Sequence, residues 1–144
     1  NVFKKINVLI LDVNEIKAFT SQNLICDATK FIHDRYGIEY IVVKNGEHGS
    51  TLWSNGLKFS APAFKVTNII DPTGAGDSFA GGFTGYLTKS NQIDIQTFKT
   101  AMVYGNAMGS FAVENFSVDR LLNLTTDEIE NRVQNIIDQS NLVK

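Results

Sequence analysis

Hydrophobic and polar positions follow two different rhythms along this chain. Val8-Leu9-Ile10-Leu11 is a continuous apolar run and predicts a buried parallel strand. Asp12-Val13-Asn14-Glu15 then opens a short helix. From Ser21 or Gln22 to about Tyr36, Leu24, Ala28, Phe31 and Ile32 fall on one helical face, and Gly37 closes the helix. Glu39 to Val43 is rich in β-branched residues and predicts a second buried strand. Thr51-Leu52-Trp53 and Leu57-Lys58-Phe59 flank Ser54-Asn55-Gly56, and Asn-Gly in such a setting predicts a hairpin that Pro62 ends. Val66 to Ile70 leads to a glycine-rich stretch, followed by a helix over about Ala75 to Thr88. Gly81, Gly82 and Gly85 weaken that helix, so close packing against a neighbour is expected there. Ile95 to about Glu114 predicts one long helix with small residues Ala101, Gly105, Ala107, Gly109 and Ala112. Thr125-Thr126-Asp127-Glu128 fits a capping box, with Thr125 as N-cap and Glu128 at N3. The last helix carries Ile129, Val133, Ile136 and Ile137 on one stripe and is expected to pack as an amphipathic element. Strands alternating with helices, plus one hairpin, indicate a layered α/β fold.

Composition narrows the class. The 144 residues are 43% hydrophobic and 19% charged, which suits one globular domain over 1–144. A net charge of −2 offers no basic excess, so neither nucleic acid nor an acidic membrane surface is expected as a partner. One cysteine, Cys26, excludes an internal disulfide and points to the cytoplasm. No segment is long enough to span a bilayer. The opening residues have a faint leader-like character. Their apolar run is broken by Asn7 and ends at Asp12 without a small-residue cleavage site, so a buried strand fits better.

The chemistry concentrates in Asp71-Pro72-Thr73-Gly74-Ala75-Gly76-Asp77-Ser78-Phe79-Ala80-Gly81-Gly82-Phe83. Gly74 to Asp77 can form a tight turn whose N–H groups point outward at a helix N-terminus, which suits an anion. A carboxylate at Asp77 would repel phosphate in a purely binding loop. It makes sense where it takes a proton from a hydroxyl that attacks the phosphate. The run is not a Walker A motif, because no Lys follows Gly76. Nor does its spacing fit a dinucleotide fingerprint. The plain alternative is a helix start with Asp77 as an ordinary first-turn acid.

The longer run closely resembles the signature of the ribokinase-like (PfkB) family of carbohydrate and nucleoside kinases. The resemblance implies the C-terminal portion of a ribokinase-like, Rossmann-like α/β fold. It also implies ATP-dependent phosphorylation of a sugar hydroxyl. Asp77 would be the catalytic base. The backbone of Gly74, Ala75, Gly76 and Asp77 would form the anion hole. Mg2+ would accompany ATP. A monovalent cation, K+, would lie by Asp71 and the carbonyl of Thr73. In this family the signature lies in the C-terminal half. The chain is therefore expected to be the nucleotide-binding half, with the N-terminal sugar-binding and lid half absent. Its partners would be ATP and a small sugar or nucleoside, and either a second copy or the missing half.

Three further positions join on the same resemblance. Asp12 and Glu15 stand where the family carries Asn-x-x-Glu, linked to magnesium and phosphate. Glu15 matches and Asp12 departs; the alternative is that Asp12 caps the helix and Glu15 is a solvated acid. Gly46 and Gly49 resemble a strand-Gly-x-x-Gly turn beside the nucleotide; taken alone, a plain hairpin turn with a solvated His48 is the simpler reading. Asn106 to Ser117, including Gly109 and Asn115, is similar to the adenine-flanking segment; tight helix packing is the alternative. Within enzymes the competing function is a nucleoside kinase of the same family. Outside them it is a non-catalytic nucleotide-binding fragment. A vitamin kinase of related fold fits less well, because such enzymes often depart from Gly-Ala-Gly-Asp.

Overall fold

The computed structural model describes residues 5–141. They gather into two compact units. One takes the chain up to Gly46 with Ser50–Ser60, and the other takes Glu47–Gly49 with Ala61 onward.

The first unit holds β1 (Val8–Asp12), α1 (Val13–Thr20), α2 (Ile25–Tyr36), β2 (Tyr40–Lys44), β3 (Ser50–Ser54) and β4 (Leu57–Ala61). The sheet order is β1-β2-β3-β4. β1 runs parallel to β2, with Val8 opposite Tyr40 and Asp12 opposite Lys44. Parallel neighbours need a crossover, which α1 and α2 supply. β3 returns antiparallel, with Ile41 opposite Trp53. Ile16, Ala28 and Ile32 of the helices close on Ile38, Ile41 and Val43. The hairpin forms as expected: Asn55 and Gly56 both take positive φ, at 45° and 79°, as a type I′ turn needs. Gly37, at φ 71°, closes α2 by donating its N–H to the His33 carbonyl.

The helix expected from Ser21 starts later. Ser21 sits in the left-handed region and ends α1 by donating to the Lys17 carbonyl. Leu24 is extended, precedes α2 and is 61% exposed, so it does not join the apolar face.

The second unit holds α3 (Ala75–Lys89), α4 (Ile95–Ala112), α5 (Asp119–Leu122) and α6 (Thr126–Asn141). α3 and α4 approach closely. A Cβ on Gly105 would lie 2.8 Å from the Phe79 ring, and one on Gly82 would lie 2.8 Å from the Tyr104 carbonyl oxygen. Gly81 and Gly85 meet nothing within 4 Å, because they lie on the exposed side of α3; close packing accounts for Gly82 alone of the three. Phe79 stacks on Phe83 at 6.2 Å between ring centroids, and Phe83 meets a tilted Phe98 at 6.0 Å. Asp94 caps α4 by accepting the Thr97 N–H. α4 ends at Ala112, two residues before Glu114, where the Glu114 N–H turns to the Phe111 carbonyl.

The capping box of α6 forms as expected: Glu128 Oε2 accepts the Thr125 N–H, and Thr125 Oγ1 accepts the Glu128 N–H. Val133 and Ile136 are buried, while Ile129 and Ile137 are half-buried. Arg120 donates to Glu128 at 2.7 Å. That guanidinium, followed by the Thr125 backbone and hydroxyl, holds the Glu128 carboxyl down to about 2 from an ordinary 4.5. Among the described residues no helix is long and apolar enough to cross a membrane.

Two outcomes follow from this packing. Gly105→Ala should destabilise the chain by about 1–3 kcal/mol, since the Phe79 ring must move. Gly85→Ala, in open space on a helix, should stabilise it by about 0.5–1 kcal/mol. Urea unfolding of both variants checks the contrast; equal effects would refute the packing account. Separately, a depressed folded pKa means that Glu128 contributes in full above pH 4.5, and that the contribution fades as pH falls toward 2. The stability gap between the wild type and Glu128→Gln should therefore narrow across that window. A constant gap in acid titrations would contradict it.

Candidate functional site

The loop before α3 is built from its own residues. Asp71 Oδ1 accepts the Thr73 N–H at 2.9 Å. The Thr73 backbone N–H, and then its hydroxyl, hold the Asp71 carboxyl below its usual range. Gly74 follows at φ 81° and ψ −4°, the left-handed conformation that glycine takes at least cost. It is the N-cap of α3 and offers no side chain to the helix start. Ala75 donates to the Pro72 carbonyl at 3.3 Å, and Ser78 donates to the Gly74 carbonyl at 2.9 Å. The N–H groups of Gly76 and Asp77 have no acceptor among the described residues. The Asp77 side chain is exposed, in the first turn of α3, and has no hydrogen-bond or ionic partner among those residues. One helical turn thus presents two unpaired donors and one unpaired carboxylate.

α4 frames this loop. A Cβ on Gly109 would stand 3.2 Å from the Ala75 carbonyl oxygen, so its absence lets α4 meet the first turn of α3. One residue beyond α4, the Val113 carbonyl accepts the N–H groups of Ile70 at 2.8 Å and Asp71 at 3.4 Å. The second unit therefore brings together Asp71, Thr73, Gly74, Ala75, Gly76, Asp77 and Gly109. Asn115 lies just beyond them and accepts the Phe116 N–H on its own side chain.

Other candidate residues have different surroundings. Asn106 is buried and donates its amide to the Ala61 and Pro62 carbonyls, at 3.1 and 3.0 Å. Gly49 faces the same stretch of backbone; a Cβ there would lie 2.7 Å from the Ala63 nitrogen. Gly46 and an exposed His48 bound a short 3-10 turn. In the first unit, Asp12 Oδ1 accepts the N–H groups of Asn14 and Glu15, and Glu15 Oε2 accepts the Asp12 N–H at 2.7 Å. That reciprocal box caps α1, which is the helix-cap alternative for Asp12.

No cluster of three or more His, Cys, Asp or Glu able to hold a metal occurs among the described residues. A magnesium ion usually binds through one or two carboxylates, waters and the phosphates it accompanies. In the second unit one oxygen of Asp71 is already engaged by the Thr73 N–H, and in the first unit one oxygen of Glu15 is engaged by the Asp12 N–H. Sequence reasoning missed the Val113 carbonyl and its neighbour Glu114. The only signal was the Phe111-Ala112-Val113-Glu114-Asn115-Phe116 run that contains both.

A model of the pfkB family carbohydrate kinases matches residues 1–123. The chain is 29% identical over 127 residues to an inositol 3-kinase from Arabidopsis thaliana, covering 88% of this chain and 33% of that protein. It is 31% identical over 94 residues to a cytidine kinase from Thermococcus kodakarensis, covering 65% of this chain and 34% of that protein. A crystal structure of fructokinase from Vibrio cholerae O395, bound to fructose, ADP and calcium, aligns with a TM-score of 0.83 at 22% identity, over 92% of this chain and 42% of that one. The chain spans about a third of the length of these curated relatives.

The left-handed turn at the head of α3 is directly testable. Gly74→Ala meets no atom within 4 Å, so its cost is backbone strain alone, roughly 1–2 kcal/mol. Thermal unfolding should register that loss. An unchanged midpoint would show that the loop readily takes another conformation.

Proposed function

The chain belongs to the pfkB family of carbohydrate kinases, and on that premise we propose that it carries the phosphoryl-transfer site of an ATP-dependent sugar kinase. Its fold is ribokinase-like. The observation that carries the reading is the unpaired Asp77 carboxylate beside the unpaired N–H groups of Gly76 and Asp77. The acceptor hydroxyl lies against Asp77. Its oxygen attacks the γ-phosphorus of Mg-ATP as Asp77 takes the proton, and the bond to the bridging oxygen breaks to release ADP. Transfer of this kind needs alignment and neutralisation of charge more than covalent help. The two N–H groups, at the positive end of α3, supply donors for the equatorial oxygens. Asp71 and the Thr73 carbonyl are the proposed place for a potassium ion, and Glu15 is the first unit's candidate for a water-held magnesium.

Relatives named for inositol, cytidine and fructose support a polyhydroxylated acceptor, either a sugar or a nucleoside. Asn106 and Gly49 serve the backbone at 61–63 on this reading. Asn115 and its neighbours remain the proposed flank of the adenine.

In the full-length protein, Asp77→Asn should keep its affinity for Mg-ATP, measured by calorimetry, and lose at least about two orders of magnitude in kcat. A variant with near-normal turnover would remove Asp77 from the chemistry.

A further inference from the structure

α6 lies beyond the residues matched by the family model, yet it sends one charged side chain inward. Arg132 is 12% exposed, and a guanidinium that far from water is tolerated only when well paired. Its Nη2 lies 2.6 Å from Glu114 Oε1, and its Nη1 donates to Ser110 Oγ at 3.0 Å. Its flat face lies 3.5 Å from the centre of the Phe111 ring and 4.3 Å from that of Phe64. Apart from Phe64, these partners lie in the last turn of α4 or just beyond it.

We infer that Arg132 is a positioning residue for the phosphate loop. Glu114 is held from two sides, by Arg132 on Oε1 and by Arg120 on Oε2. One peptide before it, the Val113 carbonyl holds the N–H groups of Ile70 and Asp71. Asp71 in turn holds the Thr73 N–H, next to the left-handed Gly74. Arg132 thus sets where the loop begins without touching the reacting atoms. This rests on the kinase reading above. A displacement of about 1 Å at such a site can cost on the order of a hundredfold in rate.

The test uses the full-length protein with Mg-ATP and fructose, inositol or cytidine as acceptor, well below the unfolding temperature. Arg132→Gln and Glu114→Gln should each lower kcat by about tenfold to a hundredfold with the acceptor KM unchanged. The double variant should be no worse than either single change, since both break one linkage. Arg132→Lys, which keeps the charge but not the flat fork, should recover part of the loss. A folded Arg132→Gln protein with wild-type kcat overturns the inference and leaves the kinase reading intact. If Arg132→Gln does not fold, Arg132→Lys and Glu114→Gln decide by the same readout: unchanged kcat in both overturns the inference. A wild-type protein that neither binds Mg-ATP nor phosphorylates any of the three acceptors overturns both.

Discussion

The second unit depends on how closely α3 and α4 can approach. Phe79 lies where a side chain on Gly105 would otherwise stand, and the Tyr104 carbonyl lies where one on Gly82 would stand. Only hydrogen fits at those positions, so the helices meet backbone to backbone at Gly82 and backbone to ring at Gly105. Many weak contacts then add up over the Phe79, Phe83 and Phe98 ladder. Gly109 extends the same constraint to the Ala75 carbonyl, at the first turn of α3. The loop that presents Gly76 and Asp77 is therefore carried on a packed helix pair, the kind of support that keeps a constellation of donors in place.

Charge is distributed unevenly around that frame. Glu114, Arg120, Glu128 and Arg132 join in ion pairs near α6, and both guanidiniums also lie over the Phe111 ring. Asp71 is used within its own turn, and Asp12 and Glu15 within their helix cap. Asp77 has no such partner among the described residues. That exposed carboxylate, beside the two bare N–H groups of Gly76 and Asp77, is the feature on which the proposed site rests.

Features written in adjacent residues were legible in the sequence. The Asn55-Gly56 turn, the Gly37 helix end, the Thr125 and Glu128 box and the start of α3 all follow from local backbone chemistry. The apolar runs located β1 and β2 within a residue or so. Leu24 misled because periodicity carries no information about Ser21 turning left-handed before it. The roles of Asn106 and Gly49 were harder to read, since their partners at 61–63 are distant from Asn106 in sequence. Arg132 stands three residues after Ile129 and four before Ile136, at the edge of the apolar stripe, but its partners Ser110 and Glu114 are distant in sequence. Family membership was legible from the thirteen residues around Asp77, and the match over 1–123 bears it out.

The glycine contact between α3 and α4 also bears on the order in which structure can form. The two helices are consecutive, joined by a short connection from Ser90 to Asp94. Bringing them together closes a small loop and sacrifices little chain entropy. β1 can find β2 only after α1, α2 and their connections have been spanned. Parallel pairing across such an interval is intrinsically slow. On entropic grounds the α3–α4 hairpin, like the β3–β4 hairpin with its two-residue turn, is expected to close before β1 pairs with β2.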